Sequence, residues 1–411
     1  MIFFVDEARK YNISYEKLIN LIANKRSIKR YIRSADTFEI FLELTAALFY
    51  GKDVELLDKD FSDVELQSFG LDSKGLHYEY LLAEKCPQVV TMDLLLRKIM
   101  NNADKVQIGI YTSGTTGKPK KFTHFVYSLL RNIKVSDVHS NDIWGLAYNP
   151  THFAGLQVFL QALMNKNPII NIFDSNRELA NGILDRYECT NISATPTYYR
   201  NFIFSDMKPN DKIKGVTFGG ERISSEIMAL ASKKFPNAKI RNIYASTEIG
   251  SLLSGNGEYF SIPKHLKSKI MISRDKHLLI HRSLVDFIDM KQEWYDTNDI
   301  VELKDDDTFK ILSRDSDFIN VGGYKVNPVE VEEVIASLPE VMDVVVYGRD
   351  NKVTGKIVAA DIKLNYGYTE ANMKKHLYQE LKTKLQPFKI PRIIRIVDEI
   401  RENRSGKKVR I

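Results

Sequence analysis

The spacing of apolar residues divides the chain into stretches with different secondary structure. Up to about residue 104, apolar residues recur three and four positions apart, most clearly in residues 38–51 and 91–102, and this spacing predicts helices. From 105 to about 250, short runs rich in β-branched residues are separated by helical patterns, which predicts layered α/β structure. The strands of this second stretch are predicted at residues 105–111, 167–173, 191–196, 213–220 and 239–246.

Beyond about residue 255 the pattern changes to shorter, strand-like segments. These predict a β-rich subdomain with strands at residues 268–273, 276–284, 294–303 and 308–313. From Ser313 onward the pattern predicts a small α+β unit that contains helices from Pro328 and over 369–385, and strands at 343–348, 356–364 and 391–397. We therefore expect an α/β protein with a large domain, residues 1–312, and a small C-terminal domain, residues 313–411.

Composition supports a folded protein of several domains. The chain has 411 residues, of which 44% are hydrophobic, and a length of this kind suggests two to four domains. There are 59 Lys and Arg against 53 Asp and Glu, a net charge of +6, and residues 313–411 carry +4 of it with 18 Lys and Arg against 14 Asp and Glu. This balance is too small for a nucleic-acid binder but favours a partner that carries phosphates.

The cysteines and the hydrophobic runs bear on the compartment. Cys86 and Cys189 are too few for a disulfide scaffold and lack metal-ligand spacing, so a reducing compartment is expected. The apolar run at the start stops after five residues, at Asp6 and Glu7, which is too short for a signal peptide. Since no stretch has the roughly eighteen uncharged apolar residues of a membrane span, we expect a cytoplasmic protein.

The strongest chemical signal is the segment from Tyr111 to Lys120, which follows a predicted strand. Its glycines let the backbone approach a ligand, and its amides, hydroxyls and lysines suit phosphate oxygens. It is not a Walker loop, because Pro119 stands where Ser or Thr would hold magnesium. By itself the segment is also compatible with a flexible surface hairpin. The candidate phosphate-binding residues are Thr112, Ser113, Gly114, Thr115, Thr116, Gly117, Lys118 and Lys120.

This loop closely resembles the phosphate-binding signature of the adenylate-forming superfamily, which contains acyl-CoA synthetases, adenylation domains and firefly luciferase. Further segments resemble motifs of the superfamily in the same order, at residues 219–221, 242–248, 295–299, 313–319, 321–332 and 404–410. The resemblance covers roughly residues 105–411. Residues 1–100 match no motif.

The resemblance implies a nucleotide site. It places Asn242 and Tyr244 at the adenine, with the glycine pair Gly219 and Gly220 and the following Glu221 beside it. Thr247 is expected at the α-phosphate and Glu248 at a magnesium ion, and a carboxylate is a chemically reasonable ligand for that ion. Asp299 and Arg314 are expected to bind the ribose hydroxyls.

The small domain is expected to serve both steps of the reaction. By resemblance, Lys407 acts in adenylation, whereas the loop of Gly322, Gly323 and Tyr324 lies beside the pantetheine arm of the thiol acceptor. The superfamily's rotation of the small domain between the two steps is expected here as well. Position assigns its hinge to Ser316, with Asp315 or Asp317 as possible substitutes.

Several positions depart from the superfamily pattern. Lys121, Ala245, Asn298 and Ser313 each stand where glycine is usual, but no departure removes a charged contact. The phosphate loop also begins only about 110 residues into the chain, so we expect a compact member with a shortened N-terminal region.

The segment from Asn149 to Gly155 bears on which carboxylic acid the protein activates. It resembles a Pro-x-x-His-x-x-Gly motif in which His152 borders the acyl pocket, together with Phe153 and Gly219. Members that activate α-amino acids have an aspartate where Phe153 stands, and a phenylalanine cannot offset a buried ammonium charge. We therefore expect that α-amino acids are not substrates. The sequence does not choose among fatty, short-chain and aromatic acids as substrates. It is also compatible with His152 as an ordinary loop histidine that has no role in the pocket.

Taken together, the motifs imply an AMP-forming acid–thiol ligase that uses ATP, Mg²⁺ and CoA, with Lys407, Thr247, Glu248 and His152 as its catalytic residues. Two alternatives stay open. The acyl group could pass to the phosphopantetheine of a carrier protein, since a small domain of charge +4 suits either acceptor. The chain could instead be a silent adenylate-binding or scaffold protein, although the retained Lys407, Glu248, Asp299 and Arg314 argue against this.

Overall fold

The computed structural model describes residues 1–72, 75–76, 79–84, 90–112, 120–173, 175–206, 208–285, 291–351, 354–370, 373–404 and 406–410, with the backbone alone at residue 112. The chain forms two compact units, Met1–Gly257 with His281–Tyr295, and Glu258–Ile280 with Asp296–Ile411. Among the helices of this described part, none is both long and apolar enough to cross a lipid bilayer.

An eight-stranded sheet organises the first unit. Its strands, in spatial order, are β14 (Gly250–Gly255), β13 (Lys239–Ser246), β12 (Gly215–Gly219), β11 (Asn191–Ala194), β9 (Trp144–Leu146), β10 (Ile169–Asn171), β1 (Ile2–Asp6) and β2 (Tyr11–Ser14). The six inner strands are parallel, and β14 and β2 are antiparallel edge strands. The predicted strands of the second stretch are confirmed.

Both faces of this sheet are buried. Phe4 of β1 and Leu146 of β9 belong to one hydrophobic cluster, whereas their neighbours Val5 and Ala147 belong to another. Since successive side chains of a strand point to opposite faces, helices must cover both sides, which confirms the predicted α/β layering. The helices of this unit are α1 (Tyr15–Ala23), α2 (Thr37–Tyr50), α3 (Asp63–Ser68), α4 (Met92–Asn102), α5 (Val126–Leu130), α6 (Phe153–Asn165), α7 (Arg177–Arg186), α8 (Pro196–Ser205) and α9 (Ser225–Lys234).

Two smaller sheets complete the first unit. One has the strand order β4 (Tyr31–Ile32), β5 (Val54–Leu56), β7 (Gln107–Thr112) and β8 (Lys120–Phe125), and the other pairs β3 (Ser27–Lys29) with β6 (Tyr80–Leu82). The expectation that the first hundred residues are mostly helical is therefore incomplete. β1 is a continuous apolar run buried inside a parallel sheet, and β3 to β6 are too short to show a period of two.

The second unit begins with the predicted β-rich sheet. Its spatial order is β15 (Tyr259–Ser261), β19 (Thr308–Arg314), β18 (Trp294–Leu303), β17 (His277–His281) and β16 (Ile270–Ile272). The sheet lies with the C-terminal elements in one compact unit. The boundary expected between residues 312 and 313 separates the large domain from the small domain that is expected to rotate. It stays a prediction.

The C-terminal elements form the predicted α+β arrangement. Strands β21 (Tyr324–Val326), β20 (Ile319–Val321), β23 (Gly355–Leu364) and β22 (Val341–Asn351) lie side by side, and β24 (Ile393–Ile396) pairs with β23. Helices α10 (Pro328–Ala336) and α11 (Met373–Lys384) share a hydrophobic core with these strands. Pro328 opens α10 at a position where its missing N–H costs no helical hydrogen bond.

Candidate functional site

Apart from the phosphate loop, the predicted residues of the first unit lie on or directly after strands of the eight-stranded sheet, toward one edge. Because β9 to β13 are parallel, their carboxyl ends meet at this edge, and His152, Glu221 and Glu248 follow β9, β12 and β13. The chain leaves β9 for β10 on one side and later continues to β11 on the other side, so the strand order reverses at β9. In open α/β sheets, ligands bind at the carboxyl edge beside such a reversal.

Thr247 and Glu248 lie in the turn that joins β13 to β14. Both residues are partly buried, and the side chain of Glu248 makes no hydrogen bond or ion pair with another described residue. Magnesium at nucleotide sites takes one or two carboxylates and completes its shell with phosphate oxygens and water. The carboxylate of Glu248 therefore suits the magnesium role that its motif implies.

The two residues predicted to meet the adenine lie on β13 and are buried. The side-chain amide of Asn242 donates to the backbone carbonyl of Gly257 at 3.0 Å, which fixes its orientation. Tyr244 is only 9% exposed. Both positions precede the turn of Thr247 and Glu248 by a few residues, so one strand and its turn carry all four.

The glycine pair lies at the end of β12. The hydroxyl of Tyr148, which follows β9, donates to the carbonyl of Gly219 at 3.1 Å, and a Cβ at Gly219 would lie 3.2 Å from that hydroxyl. Burial raises the pKa of Tyr148, which keeps the hydroxyl protonated as a donor. The carboxylate of Glu221 accepts hydrogen bonds from Thr197 N at 3.1 Å and Thr197 Oγ1 at 2.7 Å, so it holds the first turn of α8.

The acyl-pocket residues come close to the turn of Glu248. Phe153 opens α6, and its Cζ lies 3.5 Å from the Cβ position of Gly250, the first residue of β14 after that turn. The ring of Phe153 also lies 5.8 Å, centroid to centroid, from that of the buried His124. The tertiary structure thus brings Phe153 and Gly250 close together, although they lie 97 positions apart in the sequence.

The predicted phosphate loop connects β7 to β8. Ser113, Gly114, Thr115, Thr116, Gly117 and Lys118 lie outside the described residues. Thr112 ends β7, and Lys120 opens β8 as an exposed residue. The loop leaves the carboxyl end of β7, the edge at which the parallel strand β5 also ends.

Glu55 on β5 joins the two strands that carry this loop. Its carboxylate accepts a hydrogen bond from the hydroxyl of Tyr111 on β7 and forms an ion pair with Lys121 Nζ on β8 at 2.7 Å. Burial and this hydrogen bond raise the pKa of Tyr111. Lys121 stands where the superfamily usually has glycine. Here the lysine forms a charged contact beside the loop.

Replacing Glu55 with glutamine should destabilise the first unit by about 1–3 kcal/mol, because the largely buried carboxylate that accepts from Tyr111 and pairs with Lys121 loses its charge. Trp144 belongs to the same unit as Glu55, so tryptophan fluorescence during urea unfolding measures the effect. Glu79→Gln, which removes an exposed ion pair with Arg30, is the control and should change stability by less than about 0.5 kcal/mol. Equal unfolding midpoints for the two variants would contradict this prediction.

In the second unit, the structure brings the predicted ribose-binding residues together. Asp299 on β18 and Arg314 on β19 are cross-strand partners, and Arg314 Nε lies 3.2 Å from Asp299 Oδ1. Asp299 is buried, and its N–H donates to Thr297 Oγ1 at 3.1 Å. The preceding Asn298 has a φ of 58°, a conformation that asparagine tolerates better than most residues, which explains why it can replace glycine here.

The hinge and pantetheine candidates also lie in the second unit. Ser316 is the middle residue of a short turn whose Asp315 pairs with Lys325 Nζ at 3.0 Å. Gly322 and Gly323 join β20 to β21 with φ values of 57° and 92°, as a tight hairpin turn requires. Tyr324 is 59% exposed and stacks on Phe388 with 4.5 Å between ring centroids.

Two family models match the chain. The model of the AMP-binding enzyme matches residues 42–269, and that of the AMP-binding enzyme C-terminal domain matches residues 330–407. The chain belongs to the AMP-binding enzyme family. The first match begins well before residue 105, so membership covers part of the region in which no motif was found. Residues 270–329, which include Asp299, Arg314 and Gly322, lie between the two matches.

The curated relatives are CoA ligases. The chain is 27% identical to 4-hydroxybutyrate–CoA ligase 1 of Metallosphaera sedula over 75% of this chain, and it spans only 62% of that relative's length. It is 24% identical to 2-succinylbenzoate–CoA ligase of Bacillus subtilis, over 92% of this chain and 87% of the relative.

Solved structures share the fold over nearly the whole chain. O-succinylbenzoate coenzyme A synthetase from Bacillus subtilis, solved with ATP and a magnesium ion, aligns with a TM-score of 0.71 at 20% identity, over 100% of this chain and 95% of that one. ATP-bound MatB from Rhodopseudomonas palustris aligns with a TM-score of 0.70 at 16% identity, over 99% of this chain and 94% of that one. The layered α/β fold of the family is therefore present here.

Asp58 is a candidate site residue that the motifs did not reveal. It follows β5, it is 2% exposed, and its carboxylate accepts from Asn149 Nδ2 at 2.9 Å and lies 3.0 Å from His152 Nε2. Because an ionised carboxylate only accepts hydrogen bonds, this contact places a proton on Nε2 of His152. The sequence offers no more than an aspartate after a short apolar run, 94 positions before the histidine.

Proposed function

We propose that this family member is an AMP-forming acid–thiol ligase. It activates a carboxylic acid with Mg·ATP to an acyl-adenylate and then transfers the acyl group to the thiol of CoA. The observation that carries this proposal is the carboxyl edge of the eight-stranded sheet. There the glycine pair and the Glu248 turn follow β12 and β13, and the pair of His152 with Asp58 lies beside β9, where the strand order reverses.

In the first step, a carboxylate oxygen of the acid attacks the α-phosphorus of ATP, and the bond from that phosphorus to pyrophosphate breaks. Catalysis of such a transfer consists mainly of positioning and charge stabilisation. Thr247 and Lys407 are assigned to the charge that develops on the α-phosphate, and the phosphate loop to the outgoing pyrophosphate. Glu248 would hold the magnesium ion, which neutralises phosphate charge when bound.

In the second step, the sulfur of the thiol attacks the acyl carbon, the bond from that carbon to AMP breaks, and the thiol proton is lost. AMP is a far better leaving group than oxide, which is why the acid has to be adenylated first. We assign Gly322, Gly323 and Tyr324 to the pantetheine arm. His152, held by Asp58, borders the acyl group in both steps, and Asp299 with Arg314 binds the ribose.

Carboxylate-dependent exchange of labelled pyrophosphate into ATP tests the proposal. The acid library should include fatty, aromatic, hydroxy and dicarboxylic acids, since the named relatives act on 4-hydroxybutyrate and 2-succinylbenzoate. Exchange with one or more acids, followed by thioester formation with CoA in a mass spectrum, is the expected result. Absence of exchange with every acid would contradict the enzyme proposal and favour a silent adenylate-binding protein.

Within this library, α-amino acids should give no exchange above background. Phe153 presents an apolar ring where an ammonium group would need a carboxylate, and the nearby carboxylate of Asp58 already binds Asn149 and His152. A matched design compares each α-amino acid with the acid that lacks only the amino group. An α-amino acid that exchanges faster than its deaminated partner would contradict this reading of the pocket.

A carrier protein is the second candidate for the acceptor. The observation that favours it is the net charge of +4 on residues 313–411, which suits the acidic surface of a carrier as well as the phosphates of CoA. A phosphopantetheinylated carrier should therefore be tested beside CoA in the thioester assay. The scarcity of cysteine supports a reducing compartment such as the cytoplasm for either reaction.

A further inference from the structure

The end of the chain folds back as a short hairpin that carries Lys407. Glu402 and Lys408 form an antiparallel bridge, Asn403 N donates to the carbonyl of Lys407 at 2.7 Å, and Val409 N donates to the carbonyl of Arg401 at 2.9 Å. The N–H of Lys407 donates to Asn403 Oδ1 at 3.0 Å. The backbone of Lys407 is therefore fixed within the hairpin.

Two side chains attach this hairpin to the C-terminal sheet and helix. Lys408 Nζ lies 2.5 Å from Asp343 Oδ1 on β22 and donates to the carbonyl of Val344 at 2.7 Å. Arg410 Nη2 lies 2.8 and 3.0 Å from the carboxylate oxygens of Glu332 on α10. The side chains of Asp343 and Lys408 are only 3% and 14% exposed, so the first pair is largely withdrawn from water.

The attachment determines which way Lys407 faces. In an extended segment successive side chains lie on opposite faces, so Lys408 and Arg410 share one face and Lys407 lies on the other. Because two lysines are adjacent in the sequence, a slip of one residue would place Lys407 on Asp343 and turn Lys408 outward. Arg410 would lose Glu332 in the same slip, so the two ion pairs together specify one register.

We propose that the ion pair of Lys408 with Asp343 positions Lys407 for the adenylation step. A buried ion pair contributes little net stability, but it can select one arrangement among several. Lys408 and Asp343 act through Lys407 and are positioning residues. The inference rests on the proposed function, and in particular on the assignment of Lys407 to adenylation.

The test separates the two half-reactions. In Lys408→Met, the rate of pyrophosphate exchange should fall by about 10- to 100-fold, because a displacement of about 1 Å at a reacting group has an effect of this size. Transfer of the acyl group from a synthetic acyl-adenylate to CoA should stay within about twofold of wild type, since Lys407 does not serve that step. Lys408→Arg, which keeps the cation, should recover most of the exchange.

Two further variants distinguish a change in the position of Lys407 from a loss of folding. Asp343→Asn keeps the oxygen that accepts from Val344 N and should fold even if Lys408→Met does not, with a smaller loss of exchange and unchanged transfer. Arg395→Met breaks the ion pair of Arg395 with Asp361 on the same sheet and should leave both half-reactions at the wild-type rate. Wild-type exchange in a folded Asp343→Asn, or an equal fall of both half-reactions, would overturn the proposal.

Hydrogen exchange tests the attachment without any assay of activity. The amides of Asn403, Gly406 and Val409 donate within the hairpin, and they should exchange faster with deuterium in Lys408→Met but not in Arg395→Met. Unchanged protection of these amides would overturn the proposal even if the protein activates no acid. Failure of the proposed function shows itself separately, as a wild-type protein that gives no pyrophosphate exchange.

Discussion

Replacing Lys407 with alanine should lower the rate of pyrophosphate exchange by about 10²- to 10³-fold, because the transition state of adenylation loses a cation at the α-phosphate. Acyl transfer from a synthetic acyl-adenylate to CoA should change by no more than about twofold, since Lys407 has no role in that step. The measurement compares the two half-reactions in the same preparation, with labelled pyrophosphate for the first and thioester formation for the second.

The control for Lys407→Ala is Lys374→Ala, which removes a surface lysine from α11 of the same unit. Both half-reactions should be unchanged in this control. Equal losses of the two half-reactions in Lys407→Ala would contradict the assignment of Lys407 to one step, and with it the expectation that the small domain serves the two steps in different orientations.

Replacing Glu248 with glutamine should lower adenylation by about 100-fold or more at a fixed magnesium concentration, because one negative ligand of the ion is lost. The defect should shrink as the magnesium concentration rises, since the phosphates of ATP still bind the ion. The side chain of Glu248 makes no hydrogen bond or ion pair with another described residue. The substitution should therefore leave stability nearly unchanged, within about 0.5 kcal/mol.

A titration of exchange rate against magnesium at saturating ATP measures the effect, with Glu178→Gln as the matched control. Glu178 is an exposed carboxylate on α7 of the same unit and should behave as wild type. If Glu248→Gln follows the wild-type magnesium dependence with an equal rate, Glu248 is not a ligand of the ion. A loss that magnesium cannot relieve at any concentration would point to a role at the phosphates instead.

The departures from the superfamily pattern show how sequence and structure answer different questions. The sequence identified Asn298 and Lys121 as substitutions for glycine but gave no reason for either. The structure gives Asn298 a φ of 58°, which asparagine accepts, and gives Lys121 an ion pair with Glu55. Local backbone conformation thus explains the asparagine at position 298. The lysine at position 121 is explained by a partner 66 positions away in the sequence.

The sequence by itself determined the strands predicted from residue 105 onward, the α/β layering and the family. These depend on hydrophobic period and on short motifs, which are local properties of the chain. It could not determine β1 and β3 to β6, because a buried parallel strand and strands of two or three residues lack a period of two. It also missed β2, β8, β9, β14, β15, β20 and β21.

Only the tertiary structure decided which distant residues meet. The contact of Asp58 with His152 joins positions 94 apart, and the ion pair of Lys408 with Asp343 joins positions 65 apart. Such pairs arise because parallel strands align their carboxyl ends at one edge and because a terminal hairpin folds back on a sheet. Neither event leaves a local signal, since each partner alone resembles an ordinary polar residue.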